Sequence, residues 1–133
     1  MKTTFKKIQQ FVAAANDYLK KFPDETKLKY AIVKVAGRID AINQEYASEF
    51  QDIEAEHANT DANGSVLFKI VDNKRQYDFT RDGLKKSDEA KRALFEVREF
   101  ELKPHFSPEV PENFPEEYRQ YFEGFVLPSS DKA

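Results

Sequence analysis

Apolar positions in the first half of the chain recur at spacings of three and four. Phe5, Ile8, Val12, Ala15, Leu19 and Phe22 form one such stripe, the pattern of a helix with one face against a partner. Thr3 or Thr4 can cap it and Pro23 stops it. After the Pro23-Asp24 turn the pattern repeats with Leu28, Ile32, Val35, Ile39, Ile42 and Tyr46, and continues through Phe50 and Ile53 toward Asn59. Two stripes joined by so short a turn predict an antiparallel helical hairpin. At about 1.5 Å per residue the helices run about 27 Å and about 50 Å, so the longer one overhangs. Its unmatched stripe, Tyr46, Phe50 and Ile53, needs cover from the C-terminal half or from a second subunit. Folding back also brings Glu45 and Glu49 toward Lys2, Lys6 and Lys7.

The period then changes. Asn59 to Ser65 is a polar turn, Val66, Phe68 and Ile70 alternate with Leu67 and Lys69, and a second run carries Tyr77 and Phe79 after Asp72-Asn73-Lys74. This predicts a β-hairpin. Thr80, or alternatively Ser87, opens a third helix through Leu84, Ala90, Leu94 and Val97, with Gly83 weakening its first turn; Phe100 and Leu102 then mark a third strand able to join the hairpin. Prolines at 104, 108, 111 and 115 exclude regular helix or central strand from Pro104 to Asn113. Pro115 opens a short helix, Glu116 to Glu123, ended by Gly124; Phe125-Val126-Leu127 reads as a last edge strand. The fold class predicted is α+β: an N-terminal antiparallel helical hairpin with one long helix, a small antiparallel sheet of hairpin plus third strand, and two further helices. Residues 1–127 read as one domain, and 128–133 as a flexible C-terminal tail.

Composition narrows the function. With 133 residues, 14% aromatics and a net charge of -3, the chain can bury a core and sets up no strong field for nucleic acid or anionic membrane. Nucleic-acid binding is therefore unexpected. No apolar run approaches the length of about 20 residues that spans a bilayer, and Met1 to Gln10 lacks the layout of a signal peptide. Cys is absent, which excludes disulfides and thiolate metal sites. Cytoplasm is the expected address.

Few motifs carry chemistry. Asn59, Asp61, Asn63, Gly64 and Val66 fit the start of an EF-hand loop, but Ile70 stands where that motif needs a bidentate Glu. A connecting turn is the reading, with a weak cation site as the alternative. The two histidines, His57 and His105, lie in unlike contexts without an assignable third ligand or carboxylate pair. No nucleophile is framed by a base. Neither cofactor nor metal is expected, nor enzymatic activity. Gly37 beside Ala36, facing Ala13 and Ala14, predicts a close approach between the first two helices, the alternative being a ligand or partner pressed against that spot.

Lys27, Lys34, Arg38 and the basic run from Lys85 to Arg92 share their helices with acids and read as solvated faces. Tyr118, Tyr121, Phe122 and Phe125 read as an apolar face that caps the core, any exposed part being a protein-binding patch.

In layout the chain resembles small phage-encoded proteins of unknown function. The resemblance lies in a lysine-rich first helix, the longer "KLKYAIVKVAGRIDAINQEY" helix, the turn "TDANGS", a short hairpin, "DGLKKSDEAKRALFEVREFEL" and the "PENFPEEYRQYFEGFVL" ending. It covers nearly the whole chain and implies no catalytic residues, only a virus-derived accessory protein that acts by binding in the host cytoplasm. The function expected is contact with a protein partner or with further copies of itself, through Tyr46, Phe50 and Ile53 together with Tyr118, Tyr121 and Phe125. The alternative is a counter-defence protein that sequesters a small anionic ligand, a nucleotide messenger, with Lys34 and Arg38.

Overall fold

The computed structural model describes residues 1–111 and 114–128. The end of the predicted extended segment (112–113) and all of the predicted tail past Pro128 lie outside the described residues. The chain is α+β, with the elements β1 (Lys2–Thr4), α1 (Phe5–Lys21), α2 (Lys27–His57), β2 (Phe68–Val71), β3 (Lys74–Tyr77), α3 (Arg81–Glu96), β4 (Glu99–Glu101) and α4 (Glu116–Phe122). It divides into two compact units: Met1–Asn43 with the chain from Glu99 onward, and Gln44–Arg98. Helix α2 contributes 27–43 to the first unit and 44–57 to the second.

In the first unit, Thr4 caps α1 by accepting the Lys7 N–H at 3.3 Å, and the helix closes with the Phe22 N–H donating to the Tyr18 carbonyl at 2.9 Å. Lys20 and Lys21 in the last turn suit the negative end of the helix dipole. The Glu25 carboxylate caps α2 by accepting the Leu28 N–H at 2.9 Å. On α2 the predicted stripe is buried from Leu28 through Ile42. On α1 it is rotated: Phe5, Ile8, Phe11, Ala15 and Tyr18 are buried, whereas Val12 and Leu19 are half-buried and Phe22 is exposed. The cause is the partner, because α4 rather than α2 packs closest on α1. Phe11 stacks on Phe125 with ring centroids 4.6 Å apart, and Tyr18 meets Tyr118 at 5.4 Å and Phe122 at 5.6 Å. Aromatic pairs of this geometry add about 0.5–1.5 kcal/mol each beyond the area they bury, which favours the aromatic face of α1 over its aliphatic one.

Three further expectations are corrected in this unit. The third strand exists as β4, but it pairs antiparallel with β1, Thr3 opposite Phe100, and not with the hairpin, so the described residues form two sheets of two strands. Phe125 to Leu127 forms a turn rather than a regular strand, although the His105 N–H donates to the Phe125 carbonyl at 3.0 Å and the Ser107 N–H to that of Val126 at 2.7 Å. Gly37 is exposed, and a Cβ built on it would meet nothing within 4 Å, so the close approach to Ala13 and Ala14 is absent.

In the second unit the predicted hairpin forms with Phe68 opposite Tyr77 and Val71 opposite Lys74. Its turn has two residues, Asp72 and Asn73, at φ +52° and +63°, the left-handed pair of a type I′ turn. Thr80, not Ser87, caps α3, accepting the Gly83 N–H at 2.9 Å, and Ser87 is buried within the helix. Gly83 has a reason that the sequence hid: a Cβ there would lie 2.7 Å from the His57 carbonyl oxygen at the end of α2. Only a residue without one lets α3 start against that end.

Candidate functional site

The second unit is built with little core. Among the described residues its buried apolar side chains are Ala58 and Leu94. The overhanging stripe expected to need a neighbour is half covered: Tyr46, Phe50 and Ile53 are each half-buried. Burial raises the Tyr46 phenol above its ordinary pKa. Part of the cover comes from the same chain. Lys91 of α3 lies 4.5 Å over the Phe50 ring and pairs with Glu54 at 3.0 Å, and Arg98 bonds Glu45 at 3.2 Å and Glu49 at 3.0 Å. Within this unit, Arg98 is thus a cation shared by Glu45 and Glu49.

The hairpin is the more open surface. Every residue of β2 and β3 is exposed except Tyr77, which is half-buried. Alternation ordinarily marks a strand with one face in the core, yet Phe68 is 40% and Ile70 71% exposed. Phe68 is held from two sides, by the Tyr77 ring at 4.9 Å and by the Arg75 guanidinium 3.7 Å from its centroid. Leu67 and Val71 extend the apolar surface. Lys69, Lys74 and Arg75 against Asp72 make the outer part basic in a chain of net charge -3. Patches of this kind mark contact sites, and a two-stranded ribbon alone is marginal in water.

At the base of the hairpin, the Asn59–Ser65 turn is held internally. One Asp61 oxygen accepts the N–H groups of Asn63 at 2.8 Å and Ser65 at 3.0 Å, Gly64 adopts φ +83°, and Asn59 Nδ2 donates to Asp78 at 3.1 Å. The single carboxylate of the EF-hand-like stretch is therefore a turn cap. Among the described residues no group of three His, Asp or Glu side chains is placed to hold a metal ion.

In the first unit, Tyr118 and Phe125 are core residues, 4% and 5% exposed, out of a partner's reach; Tyr121 is half-buried. Tyr121 lines an open cavity of about 490 Å³ between α1 and α4, with Ala13, Ala14, Asp17, Lys21 and Tyr118. The Tyr118 hydroxyl donates to Asp17 at 2.5 Å, and Lys21 reaches the same carboxylate at 3.3 Å. That phenol hydrogen bond holds the Asp17 carboxyl below its ordinary range and Tyr118 above its own. Lys34 is exposed, its ammonium 5.4 Å over the exposed Tyr30 ring. Arg38 is engaged: Nη1 donates to the carbonyls of Lys103 at 3.0 Å and Pro104 at 2.9 Å. His105 meets Tyr30 edge-on at 5.6 Å, whereas half-buried His57 sits at the end of α2.

Comparison with protein-family models, with curated proteins and with solved structures found no match for this chain. Among the described residues no helix is long and apolar enough to cross a membrane.

Proposed function

We propose that this chain is a non-enzymatic accessory protein, of the kind its layout resembles among phage-encoded proteins, acting in the cytoplasm through protein–protein contact that includes its own copies. The observation that carries this reading is the β2–β3 hairpin: an exposed apolar and basic ribbon on a unit with a sparse core. Half-buried Tyr46, Phe50 and Ile53 are secondary, since Lys91 of α3 already lies over the Phe50 ring and pairs with Glu54 beside it. The alternative, capture of a nucleotide messenger at Lys34 and Arg38, has less behind it, because Arg38 already holds two backbone carbonyls.

Light scattering over a concentration series tests the proposal. The wild-type mass rises above the 15.5 kDa of one chain, and a Phe68→Ser, Ile70→Ser double variant, folded by circular dichroism, stays at it. A wild type that remains monomeric at several hundred micromolar, and is instead stabilised against heat by excess nucleotide, replaces this function with the ligand-binding one.

A further inference from the structure

We infer that two copies of this chain join along the free edge of β3, antiparallel and centred on Gln76, into one four-stranded sheet ordered β2–β3–β3′–β2′. This rests on the proposal that the hairpin is a contact surface, and it names the occupant and the register.

The turn determines which backbone groups are free. A two-residue turn makes Val71 and Lys74 its flanking hydrogen-bonded pair, and bonded and non-bonded pairs alternate along an antiparallel ladder. Lys69 and Gln76 form the next bonded pair, and the Asp78 N–H to Leu67 carbonyl bond at 3.0 Å continues the series. Lys74 and Gln76 therefore point their backbone groups at β2. The N–H and C=O of Arg75 and Tyr77 point outward along the open edge, just as those of Phe68 and Ile70 do on β2.

Symmetry and charge then select the pairing. A closed dimer has a two-fold axis; set normal to the sheet, it keeps each face on its own side. Side chains directly opposite share a face, so the register is centred on a residue. Centring on Gln76 sets Arg75 opposite Tyr77′ and Tyr77 opposite Arg75′ as two bonded pairs, which gives four main-chain hydrogen bonds. The same register sets Lys74 opposite Asp78′ at both ends and Gln76 opposite Gln76′. Asp78 gives one carboxylate oxygen, Oδ2, to Asn59, which leaves Oδ1 for Lys74′. Arg75, already over an aromatic ring in its own hairpin, meets a second one in Tyr77′.

Two competing registers oppose like charges. Centring on Arg75 sets two guanidinium groups face to face. On the β2 edge, the register that uses the outward groups of Phe68 and Ile70 is centred on Lys69 and sets Lys69 against Lys69′. Like charges directly opposite destabilise a sheet, and an edge lysine blocks such pairing. The β3 edge centred on Gln76 is thus self-complementary where β2 is self-repelling, and an unrelated acidic strand is not needed to satisfy it.

The absence of Cys in the sequence makes the test clean. Gln76→Cys places the only thiols across the two-fold axis, at a non-bonded pair whose Cα separation of about 4.5 Å lies within disulfide range. Mild oxidation is expected to convert most of it to a covalent dimer, while Lys69→Cys on the other edge stays largely monomeric at equal concentration. Arg75→Pro removes an outward N–H without touching the hairpin's own bonds, a substitution that an edge strand accepts. It is expected to scatter as a monomer where wild type is dimeric, with an unchanged circular dichroism spectrum.

A dimer that survives Arg75→Pro, together with Gln76→Cys crosslinking no better than Lys69→Cys, overturns the edge pairing. If that dimer is lost in the Phe68→Ser, Ile70→Ser variant, the hairpin stands as a contact face and only the register falls. A strictly monomeric wild type overturns both.

Discussion

The two units bury apolar side chains to very different depths. In the first, α1 and α2 bury five and six residues respectively, and α4 with the turn after it closes the aromatic cluster over Phe11 and Tyr18. In the second, Leu94 is the single large buried apolar side chain among the described residues, and charged contacts from Lys91 and Arg98 cover the continuation of α2. Both are drawn from the same aromatic-rich composition, so the difference lies in where the aromatics face. One unit turns its Phe and Tyr inward and has a core of its own. The other holds Phe68 at the surface, against an arginine.

The sharpest way to break this contrast is to cut one aromatic from each side. Phe122→Ala in the first unit removes a fully buried ring and is expected to cost about 3–5 kcal/mol of unfolding free energy in urea. Phe68→Ala in the second is expected to stay within about 0.5 kcal/mol at low concentration, as exposed positions do. Equal losses would show that the hairpin belongs to a core of its own. Next in size, Gly83→Ala forces a Cβ to within 2.7 Å of the His57 carbonyl oxygen and is expected to cost about 1–3 kcal/mol. Gly37→Ala, in open space on an exposed helix face, is expected to gain up to about 1 kcal/mol. A pair of variants that shift stability in the same direction would undo that assignment.

A smaller effect is read by pH. Asp17, Glu101 and Glu109 all titrate below their ordinary values of 3.8, 4.5 and 4.5, held down by the Tyr118 hydroxyl, the chain's α-amino group and Lys27 respectively. A carboxyl whose folded pKa is depressed adds stability that is complete above the unfolded value and is lost as pH falls through the folded one. Acid loss of stability is therefore expected to begin near pH 4.5 and deepen below 3.8. Tyr118→Phe should return the Asp17 carboxyl toward 3.8 by NMR titration and make that acid limb shallower; an unmoved Asp17 titration would mean that Lys21 alone sets it. Smallest of all, Ser87→Ala removes a buried hydroxyl with no hydrogen-bond partner. It is expected to raise stability by about 0.5 kcal/mol, and a loss on thermal melting would reveal a contact made by that oxygen.

The elements were legible wherever their cause is local. Thr4 and Thr80 as caps, Pro23 as a stop, the stripe from Leu28 to Ile42 and the Asp72-Asn73 hairpin all follow from neighbours in the chain. What was hidden depends on distant partners. The stripe on α1 turns toward Phe11 and Tyr18 because α4 arrives a hundred residues later, β4 pairs with Lys2–Thr4 rather than with the nearer hairpin, and Gly83 answers to His57. The candidate surface was hidden for a further reason. Alternation at Phe68 and Ile70 reads the same whether the apolar side meets a core or solvent, and Tyr118 and Phe125 look as sticky in sequence as Tyr121 does. Only burial separates a core aromatic from a surface one.

Hydrogen exchange followed residue by residue at low and high protein concentration tests most directly the claim that one unit holds itself together while the hairpin of the other depends on a partner. The amides of α1 and of α2 up to Asn43 are expected to be protected equally at both concentrations, whereas those of Lys69, Val71, Gln76 and, above all, outward-facing Arg75 and Tyr77 exchange fast when dilute and slowly when concentrated. Hairpin amides as protected at high dilution as those of α1, with no change on concentrating, would contradict it.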